Sequence, residues 1–446
     1  MMTRRPSRAV VVGLGASGAA AATLLARQGW SVTVNDRATE WELDAVLGRL
    51  PEGVRTVLGG HPAELLDGTA LVVVSPGVAW ELPLLAEARR RGIEVIAEVE
   101  LAARALSGVP TVGVTGSNGK TTVTSLLGEI GRAAGWRTGV GGNIGTAASE
   151  LALAPGWDAL VLELSSFQLE GCTTLRPDVA VLLNLSPDHL DRHRDTAAYL
   201  AAKTRIFARQ NPGDFAVLNA DDPTLARLEV PSRVVRFSLA DDTAHAHLAQ
   251  GTLVLDGEPL VPRAELPLLG DHNVANALAA ALAASRLGVG REAIVRALRS
   301  FAALPHRHQV VALRGGVRWV DDSKGTNIGA TAAGLTGYPP GTVHLVLGGL
   351  GKGQDFRELR PATEGRLARI YLIGEAAGAI GAALDGVAPV ERCETLAEAV
   401  RRAAGFARPD DTVLLSPACA SFDQFRDYHH RGEEFARLAN AAPGRR

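Results

Sequence analysis

The chain contains 446 residues, 46% of them hydrophobic, and its formal net charge at pH 7 is -2. This length exceeds that of one ordinary hydrophobic core, so several domains are expected. A nearly neutral chain argues against nucleic acid or an anionic membrane as the main partner, because both are bound through a dense basic surface. The 3 widely spaced cysteines indicate neither a disulfide framework nor a zinc cluster. These exclusions favour a protein that acts on small molecules.

The N-terminal stretch imitates a targeting signal. The basic MMTRRPSR and the apolar AVVVGLGASGAAAATLLA resemble the first two regions of a signal peptide. The same stretch has glycines in strand–turn–helix order, and the strand-like SVTVND follows it directly. We therefore predict a cytoplasmic protein that begins with a strand and a helix. A signal peptide is the alternative.

The turn GLGASG at 13–18 fits the pattern G-x-G-x-x-G, and Asp36 ends the next strand about 20 residues later. A helix N-terminus at this turn would present backbone N–H groups to a diphosphate. The pattern is typical of NAD-dependent oxidoreductases. A turn that only packs a helix on a strand, or a diphosphate from another ligand, would explain it equally well.

Strand-like and helical runs alternate along the chain, which predicts α/β units with parallel sheets and crossover helices. Joins are predicted at LSGVP (106–110) and at LPHRHQ (304–309). Three α/β units in series are the simplest organisation.

The second unit opens with TGSNGKTT at 115–122, which nearly matches G-x-x-x-x-G-K-[ST]. Val114 stands where the first glycine of that pattern belongs. Lys120 can still reach terminal phosphates and Thr121 can ligate Mg²⁺, while Gly116 and Gly119 let the backbone approach an anion. The loop therefore predicts phosphate binding, and a packing turn is the alternative.

Downstream groups could complete a metal site. Glu163 ends the apolar strand LVLEL, and His189 follows another strand in SPDHLDRH, although a structural role is equally open for His189. Lys203 lies on the helical run AAYLAAKTRIF. In a chain with 46 basic residues, lysine occurs only as Lys120, Lys203, Lys324 and Lys352. Each of these lysines is a candidate for a position that arginine cannot fill.

Polar groups in the rest of the chain suggest ligand contacts. Asn273 and Asn276 lie three residues apart on one helix face, where they could bind a base or cap the helix. Arg307 at the second join could reach a phosphate, or it could be a surface residue. Strand carboxyl ends of the third unit carry Asp322, Lys324, Thr326, Lys352 and Ser421. Such a set suits a small carboxylate-bearing substrate.

The chain carries, in order, TGSNGKTT, GGNIG, LELSSFQLE, SPDHLDRH, the AAK helix, HNVANALAA, LPHR, DDSKGTN, GGLGKG and LSPACASFDQF. Together these motifs resemble the Mur ligase family over nearly the whole chain. The third-unit motifs are most similar to the member that adds D-glutamate to UDP-N-acetylmuramoyl-L-alanine. The variant phosphate loop, with glycines at intervals of three, is the form found in Mur and folylpolyglutamate ligases.

The resemblance implies a three-domain α/β protein. Its parts would be a Rossmann-like UDP-substrate domain at 1–108, a P-loop-type ATP-binding domain at 109–304 and a Rossmann-like amino-acid domain at 305–446. In the family, ATP phosphorylates the substrate carboxylate, and the amine attacks the acyl phosphate. ATP, two Mg²⁺ ions, a monomer and cytoplasmic peptidoglycan precursor synthesis are the further expectations.

The resemblance also implies roles for individual residues. Those for ATP are Gly116, Ser117, Asn118, Gly119, Lys120, Thr121, Thr122, Asn273, Asn276, Arg307, Asp322 and Lys324. Those for catalysis are Lys120, Glu163, His189 and Lys203, and those for metal are Thr121, Glu163, His189 and a carbamylated Lys203. Those for the UDP substrate are Ser17, Asp36, Arg37, Gly77, Asn143 and His189. Those for D-glutamate are Thr326, Lys352, Ser421 and the backbone of Phe422.

Three rival functions have distinct signatures. Another Mur or folylpolyglutamate-type ligase would share the mechanism, but a diaminopimelate site would be expected to carry an arginine-containing motif that the third unit lacks. A nicotinamide oxidoreductase leaves the phosphate loop, Glu163 and Lys203 unexplained. A non-enzymatic nucleotide switch would not need the polar groups of the third unit. One departure from the family is Tyr428, where members have phenylalanine near the amino-acid pocket.

Overall fold

The computed structural model describes residues 7–186, 193 and 195–442. The strands are β1 (Arg8–Val12), β2 (Ser31–Asn35), β3 (Arg55–Val57), β4 (Thr69–Val74), β5 (Glu94–Ala97), β6 (Thr111–Thr115), β7 (Thr138–Gly142), β8 (Ala159–Glu163), β9 (Val179–Leu182), β10 (Phe215–Asn219), β11 (Arg233–Ser238), β12 (Ala246–Ala249), β13 (Thr252–Leu255), β14 (Glu258–Pro262), β15 (Gln309–Arg314), β16 (Val317–Asp321), β17 (Val343–Gly348), β18 (Leu367–Ile373), β19 (Val390–Glu394) and β20 (Thr412–Leu415). The helices are α1 (Ala16–Arg27), α2 (Glu40–Leu47), α3 (Pro83–Arg90), α4 (Glu98–Ala105), α5 (Lys120–Ala133), α6 (Ala148–Leu151), α7 (Ser166–Glu170), α8 (Thr196–Thr204), α9 (Asp271–Arg286), α10 (Arg291–Ser300), α11 (Ile328–Gly334), α12 (Arg360–Thr363), α13 (Ala377–Ala383), α14 (Leu396–Phe406) and α15 (Tyr428–Ala441). Short 3-10 helices lie at Ala63–Leu66, Arg205–Phe207, Leu225–Arg227, Arg263–Glu265 and Phe356–Leu359.

The first sheet has the order β3-β2-β1-β4-β5, and its neighbouring strands are parallel. This order places the turn after β1 where the strand order reverses, which is the ligand-binding position of Rossmann-like sheets. β1 and β4 are nearly continuous apolar runs because both faces of the sheet are covered. The glycine-rich stretch that imitates a signal peptide forms β1, the turn and α1.

The second sheet has the order β14-β13-β12-β11-β10-β9-β6-β8-β7. Neighbouring strands from β7 to β12 are parallel, and β12 and β13 form an antiparallel hairpin. β6 lies between β9 and β8, so the loop that follows β6 is flanked by the ends of two strands. The third sheet has the order β15-β16-β20-β17-β18-β19, with β15 antiparallel to β16 and the other pairs parallel.

The chain divides into two compact units. The first comprises the described residues up to Leu185, from His193 to Leu260, and Leu278–Leu298. The second comprises Ser186, Val261–Ala277 and the described residues from Arg299 onward. The three sheets are thus distributed over two units, because the first unit contains the first sheet and most of the second. Within the described ranges, we find no helix of the length and apolarity needed to cross a bilayer.

Glu100 of α4 connects the first sheet to the second within the first unit. Its buried carboxylate accepts hydrogen bonds from the backbone nitrogens of Thr173, Thr174 and Leu175 and from both threonine hydroxyls. Arg104 donates to the same carboxylate at 2.9 Å. Burial acts to raise the pKa of Glu100, but the hydrogen bonds from Thr174 and Arg104 lower it below its ordinary value. The Glu100 carboxylate is therefore held as an anion.

Candidate active site

The phosphate loop connects the buried strand β6 to α5, as the sequence predicts. Gly116 has a φ of 147° and Gly119 has a φ of 86°. Residues other than glycine rarely adopt these backbone conformations. A Cβ at Gly116 would lie 3.0 Å from the Cβ of Leu183, so the loop lies close to the chain that follows β9. The loop ends at the N-terminus of α5, where backbone N–H groups and the helix dipole favour an anion.

Asn184 fixes the conformation of this loop. Its carbonyl oxygen accepts from the Ser117 nitrogen at 3.0 Å, and its side-chain oxygen accepts from the Asn118 nitrogen at 2.9 Å. The Asn184 side-chain nitrogen donates to the Asn118 carbonyl oxygen at 3.1 Å. The sequence did not identify this residue, although its place just after the apolar strand β9 is the available signal.

Two lysines meet at one loop carbonyl. The ammonium groups of Lys120 and Lys203 each donate to the carbonyl oxygen of Gly116 at 2.8 Å. Lys120 also donates to the Ser117 carbonyl oxygen at 2.9 Å. Lys203 is only 1% exposed, and its Nζ lies 4.4 Å from the ring centroid of Tyr199. The loop therefore concentrates positive charge where an anionic ligand would bind.

The carboxylate of Glu163, at the carboxyl end of β8, accepts hydrogen bonds from two side chains. The Thr121 hydroxyl donates to its Oε2 at 2.8 Å, and the Asn143 amide donates to its Oε1 at 2.8 Å. Carboxylate and hydroxyl oxygens are ligands that Mg²⁺ prefers, so the pair of Thr121 and Glu163 fits the predicted first ion. A complete cluster of three or more acidic, histidine or cysteine ligands is absent from the described part of the chain. His189, the predicted ligand of the second ion, lies outside the described residues.

Four of the predicted UDP-substrate residues, Ser17, Asp36, Arg37 and Gly77, lie at or near the carboxyl edge of the first sheet. Asp36 accepts from the Leu14 nitrogen at 2.6 Å and from the Ala38 nitrogen at 2.8 Å, so its carboxylate fixes the backbone of two turns. Arg37 and Gly77 are exposed, and Ser17 is half-buried in the first turn of α1. Asp36 therefore stabilises the backbone of two turns. Its contact with the UDP substrate stays a prediction.

In the second unit, Asp322 follows β16 and is tightly surrounded. Ser416 donates to its Oδ2 at 2.7 Å, and the His308 nitrogen donates to its Oδ1 at 3.2 Å. Burial raises the pKa of Asp322 to about 7, and the adjacent charge of Asp321 adds to the effect. The side-chain bond from Ser416 opposes this rise. Burial therefore favours the uncharged form of Asp322.

Arg431 of α15 joins two of the three loops that carry the predicted amino-acid residues. Its fully buried guanidinium donates to the Ser323 hydroxyl and carbonyl at 2.9 and 2.8 Å and to the Cys419 carbonyl at 3.2 Å. Desolvation lowers the pKa of Arg431 to about 10, so the side chain remains a cation at neutral pH. Arg431 consequently holds the loop after β16 and the loop after β20 together. No local pattern singles out Arg431, because arginine is abundant in this chain.

The remaining predicted residues of the second unit differ in exposure. Ser421 is buried, Lys324 and Thr326 are half-buried, and Lys352 is exposed, as is Phe422 at 69%. The Asn273 amide donates to the Leu269 carbonyl at 2.8 Å, and the Asn276 amide donates to the Asn273 side-chain oxygen at 3.1 Å. Arg307 is half-buried after α10. In the first unit, Thr122 is buried in the first turn of α5.

Three family models match the chain consecutively. They are the Mur ligase MurD-like N-terminal domain over residues 7–97, the Mur ligase middle domain over 114–284 and the Mur ligase glutamate ligase domain over 306–419. The chain belongs to the Mur ligase family. The oxidoreductase interpretation of GLGASG is wrong, because this turn lies within the first of these domains.

Curated relatives and solved structures agree with the family. The chain is 47% identical to the UDP-N-acetylmuramoylalanine–D-glutamate ligase of Anaeromyxobacter dehalogenans, with 97% of each chain covered. It is 46% identical to the enzyme of the same name from Myxococcus xanthus, with 97% of this chain and 98% of the relative covered. The solved UDP-N-acetylmuramate-alanine ligase of Thermotoga maritima has the same fold, with a TM-score of 0.58 and 17% identity over 97% of this chain and 99% of that one.

Proposed function

We propose that this Mur ligase uses ATP to join D-glutamate to UDP-N-acetylmuramoyl-L-alanine through an acyl phosphate, in cytoplasmic peptidoglycan precursor synthesis. The observation that carries the proposal is the contact between Thr121 and Glu163 at the end of the phosphate loop. This contact provides a metal-ligating pair beside a cationic phosphate site, as phosphoryl transfer requires. The high identity to D-glutamate ligases over the full chain supports the choice of amino acid.

The residues of the first unit have separate roles in phosphoryl transfer. The backbone of 116–119 and the first turn of α5, with Thr122, would bind the ATP phosphates, and the Lys120 ammonium would neutralise part of their charge. Thr121 and Glu163 would hold the first Mg²⁺. His189 and Lys203 would serve the second Mg²⁺. Bound Mg²⁺ supplies charge neutralisation of the transferring phosphoryl group. Asn143 orients Glu163 and contacts the acceptor substrate together with His189.

Lys203 is proposed to be carbamylated at Nζ. As an unmodified cation, it shares the Gly116 carbonyl with the Lys120 cation, so two like charges lie next to each other. A carbamate keeps one N–H for this carbonyl and adds an anionic carboxylate suited to Mg²⁺. Arginine cannot be converted in this way, which accounts for a buried lysine in an arginine-rich chain.

The other ligand contacts are proposed by motif. The proposed contacts with the nucleotide are made by Asn273, Asn276, Arg307, Asp322 and Lys324. Thr326, Lys352, Ser421 and the Phe422 backbone hold D-glutamate. Ser17, Asp36, Arg37 and Gly77 face the UDP end of the acceptor. We further propose domain boundaries of 1–108, 109–304 and 305–446 and a monomeric enzyme with no nucleic-acid or membrane partner.

Phosphate release from ATP tests this function. The protein is supplied with Mg²⁺, ATP and UDP-N-acetylmuramoyl-L-alanine, and the rate is compared with D-glutamate, L-glutamate, L-lysine and meso-diaminopimelate. Release that depends on D-glutamate alone is expected. Equal or faster release with another amino acid would redirect the proposal to a different Mur ligase. Release without any amino acid requirement would refute ligase activity.

A further inference from the structure

We propose that the aromatic ring of Tyr428 positions the ammonium group of Lys324, so that Tyr428 is a positioning residue of the ligase reaction. The Nζ of Lys324 lies 4.3 Å from the Tyr428 ring centroid. This distance is well inside the range of cation–π attraction, which weakens beyond about 6 Å. The inference rests on the proposed function, which assigns Lys324 to the nucleotide end of the site.

Backbone contacts fix both partners of this pair. The Ser323 hydroxyl donates to the Tyr428 carbonyl oxygen at 2.8 Å. The residue before Lys324 is therefore hydrogen-bonded to the backbone of Tyr428. The Lys324 nitrogen donates to the His306 carbonyl oxygen at 3.1 Å. Asp427 caps α15 by accepting from the His430 nitrogen at 2.8 Å, which sets the position of Tyr428 at the helix start. The backbones of Tyr428 and Lys324 are therefore held by the fold, which brings ring and ammonium to within 4.3 Å.

Two further rings restrict the orientation of Tyr428. The His429 ring centroid lies 4.0 Å from that of Tyr428, and the His306 ring meets Tyr428 edge-on at 6.2 Å. His306 is itself held by Asp321, whose Oδ2 lies 2.7 Å from His306 Nδ1. The Tyr428 face is thus maintained beneath the lysine.

An aromatic face suits a lysine that serves an anionic reactant. The ring attracts the ammonium group without adding a negative charge that would compete with a phosphate or carboxylate for it. The adjacent Asp322 carboxylate is engaged by Ser416 and by the His308 nitrogen. Lys324 itself is half-buried.

Site-specific incorporation of fluorinated phenylalanines at position 428 tests the inference, because each fluorine reduces the negative charge of the ring face while the ring size changes little. Tyr428→Phe should keep kcat/KM for ATP and D-glutamate within about twofold, and the trifluorinated ring should lower it about fivefold by stepwise losses. Tyr428→Leu should lower it about tenfold or more. A series without a trend, measured on active and folded protein, would overturn the inference while leaving the proposed function intact.

Phe425 provides the matched control, since it lies three residues before Tyr428 and its ring contacts that of His430 at 5.5 Å between centroids. The same fluorinated series at Phe425 should leave kcat/KM unchanged, and an equal decline there would overturn the specific role of Tyr428. A double-mutant cycle on thermal unfolding with Lys324→Met and Tyr428→Leu tests the contact independently of activity. Non-additive shifts in Tm are expected, and additive shifts would overturn the contact.

Discussion

Lys120 and Lys203, 83 positions apart in the sequence, both donate to the Gly116 carbonyl oxygen at 2.8 Å. One lysine comes from the phosphate loop, and the other comes from α8 in the core of the same unit. Lys203 is buried, and the two ammonium groups lie side by side at one acceptor. The pair therefore joins α8 to the loop that precedes α5.

Replacement of Lys203 tests this connection. Lys203→Ala should lower D-glutamate-dependent phosphate release by about a hundredfold or more, since an electrostatic contact to the reacting groups is lost. A short-chain carboxylic acid that can enter the vacated space should restore part of the activity. Lys203→Arg, which keeps a cation that cannot be carbamylated, is the matched control and should be as inactive as the alanine variant. Full activity of Lys203→Arg would refute the carbamate.

The Thr121 hydroxyl should be required for metal binding. Thr121→Val should lower kcat/KM for ATP about a hundredfold and raise the Mg²⁺ concentration for half-maximal rate, because one oxygen ligand is removed while the volume is kept. Thr121→Ser retains the hydroxyl and should remain within about threefold of the parent. A titration of activity with Mg²⁺ measures both variants. An unchanged Mg²⁺ dependence in Thr121→Val would show that Thr121 is not a ligand.

Glu100 should dominate the attachment of the first sheet to the second. Glu100→Ala leaves the backbone nitrogens of Thr173, Thr174 and Leu175 without their acceptor, and we expect the free energy of unfolding to fall by about 3–5 kcal/mol. Glu94→Gln, at the exposed second partner of Arg104, should cost less than about 1 kcal/mol. Urea unfolding at pH 7 gives both values. Similar costs for the two variants would contradict this account.

Glu98 should make stability depend on pH. Burial raises the pKa of Glu98 from 4.5 to about 7, opposed by its hydrogen bonds with Ser149. Because the folded form retains its proton at higher pH than the unfolded form, this contribution is complete below pH 4.5 and is lost as the pH rises toward 7. Relative to Glu98→Gln, the parent should lose about 2 kcal/mol of stability between about pH 5 and pH 8. Parallel pH profiles for the two proteins would contradict the raised pKa.

Features that depend on local sequence patterns could be predicted, and features that depend on long-range contacts could not. The placement of TGSNGKTT between a strand and a helix and the strand–helix alternation follow from short spacings, so both could be predicted and both are confirmed. The antiparallel strand β15 could not be predicted, because its partner is set by the sheet order. Asn184 and Arg431 act through contacts with distant loops, and a single sequence carries no pairing information. Lys203 was found from the scarcity of lysine, although nothing in its neighbours indicated Gly116 as its acceptor.

The acyl phosphate is the central claim, and oxygen transfer tests it most directly. UDP-N-acetylmuramoyl-L-alanine labelled with ¹⁸O in both oxygens of its carboxylate is converted with ATP, Mg²⁺ and D-glutamate, and the released phosphate is analysed by mass. One carboxylate oxygen attacks the γ-phosphorus, and cleavage of the carbon–oxygen bond by the amine leaves that oxygen on phosphate. The account predicts a single ¹⁸O in each phosphate and one ¹⁸O retained in the amide. Phosphate that carries only oxygen from ATP and solvent would contradict it.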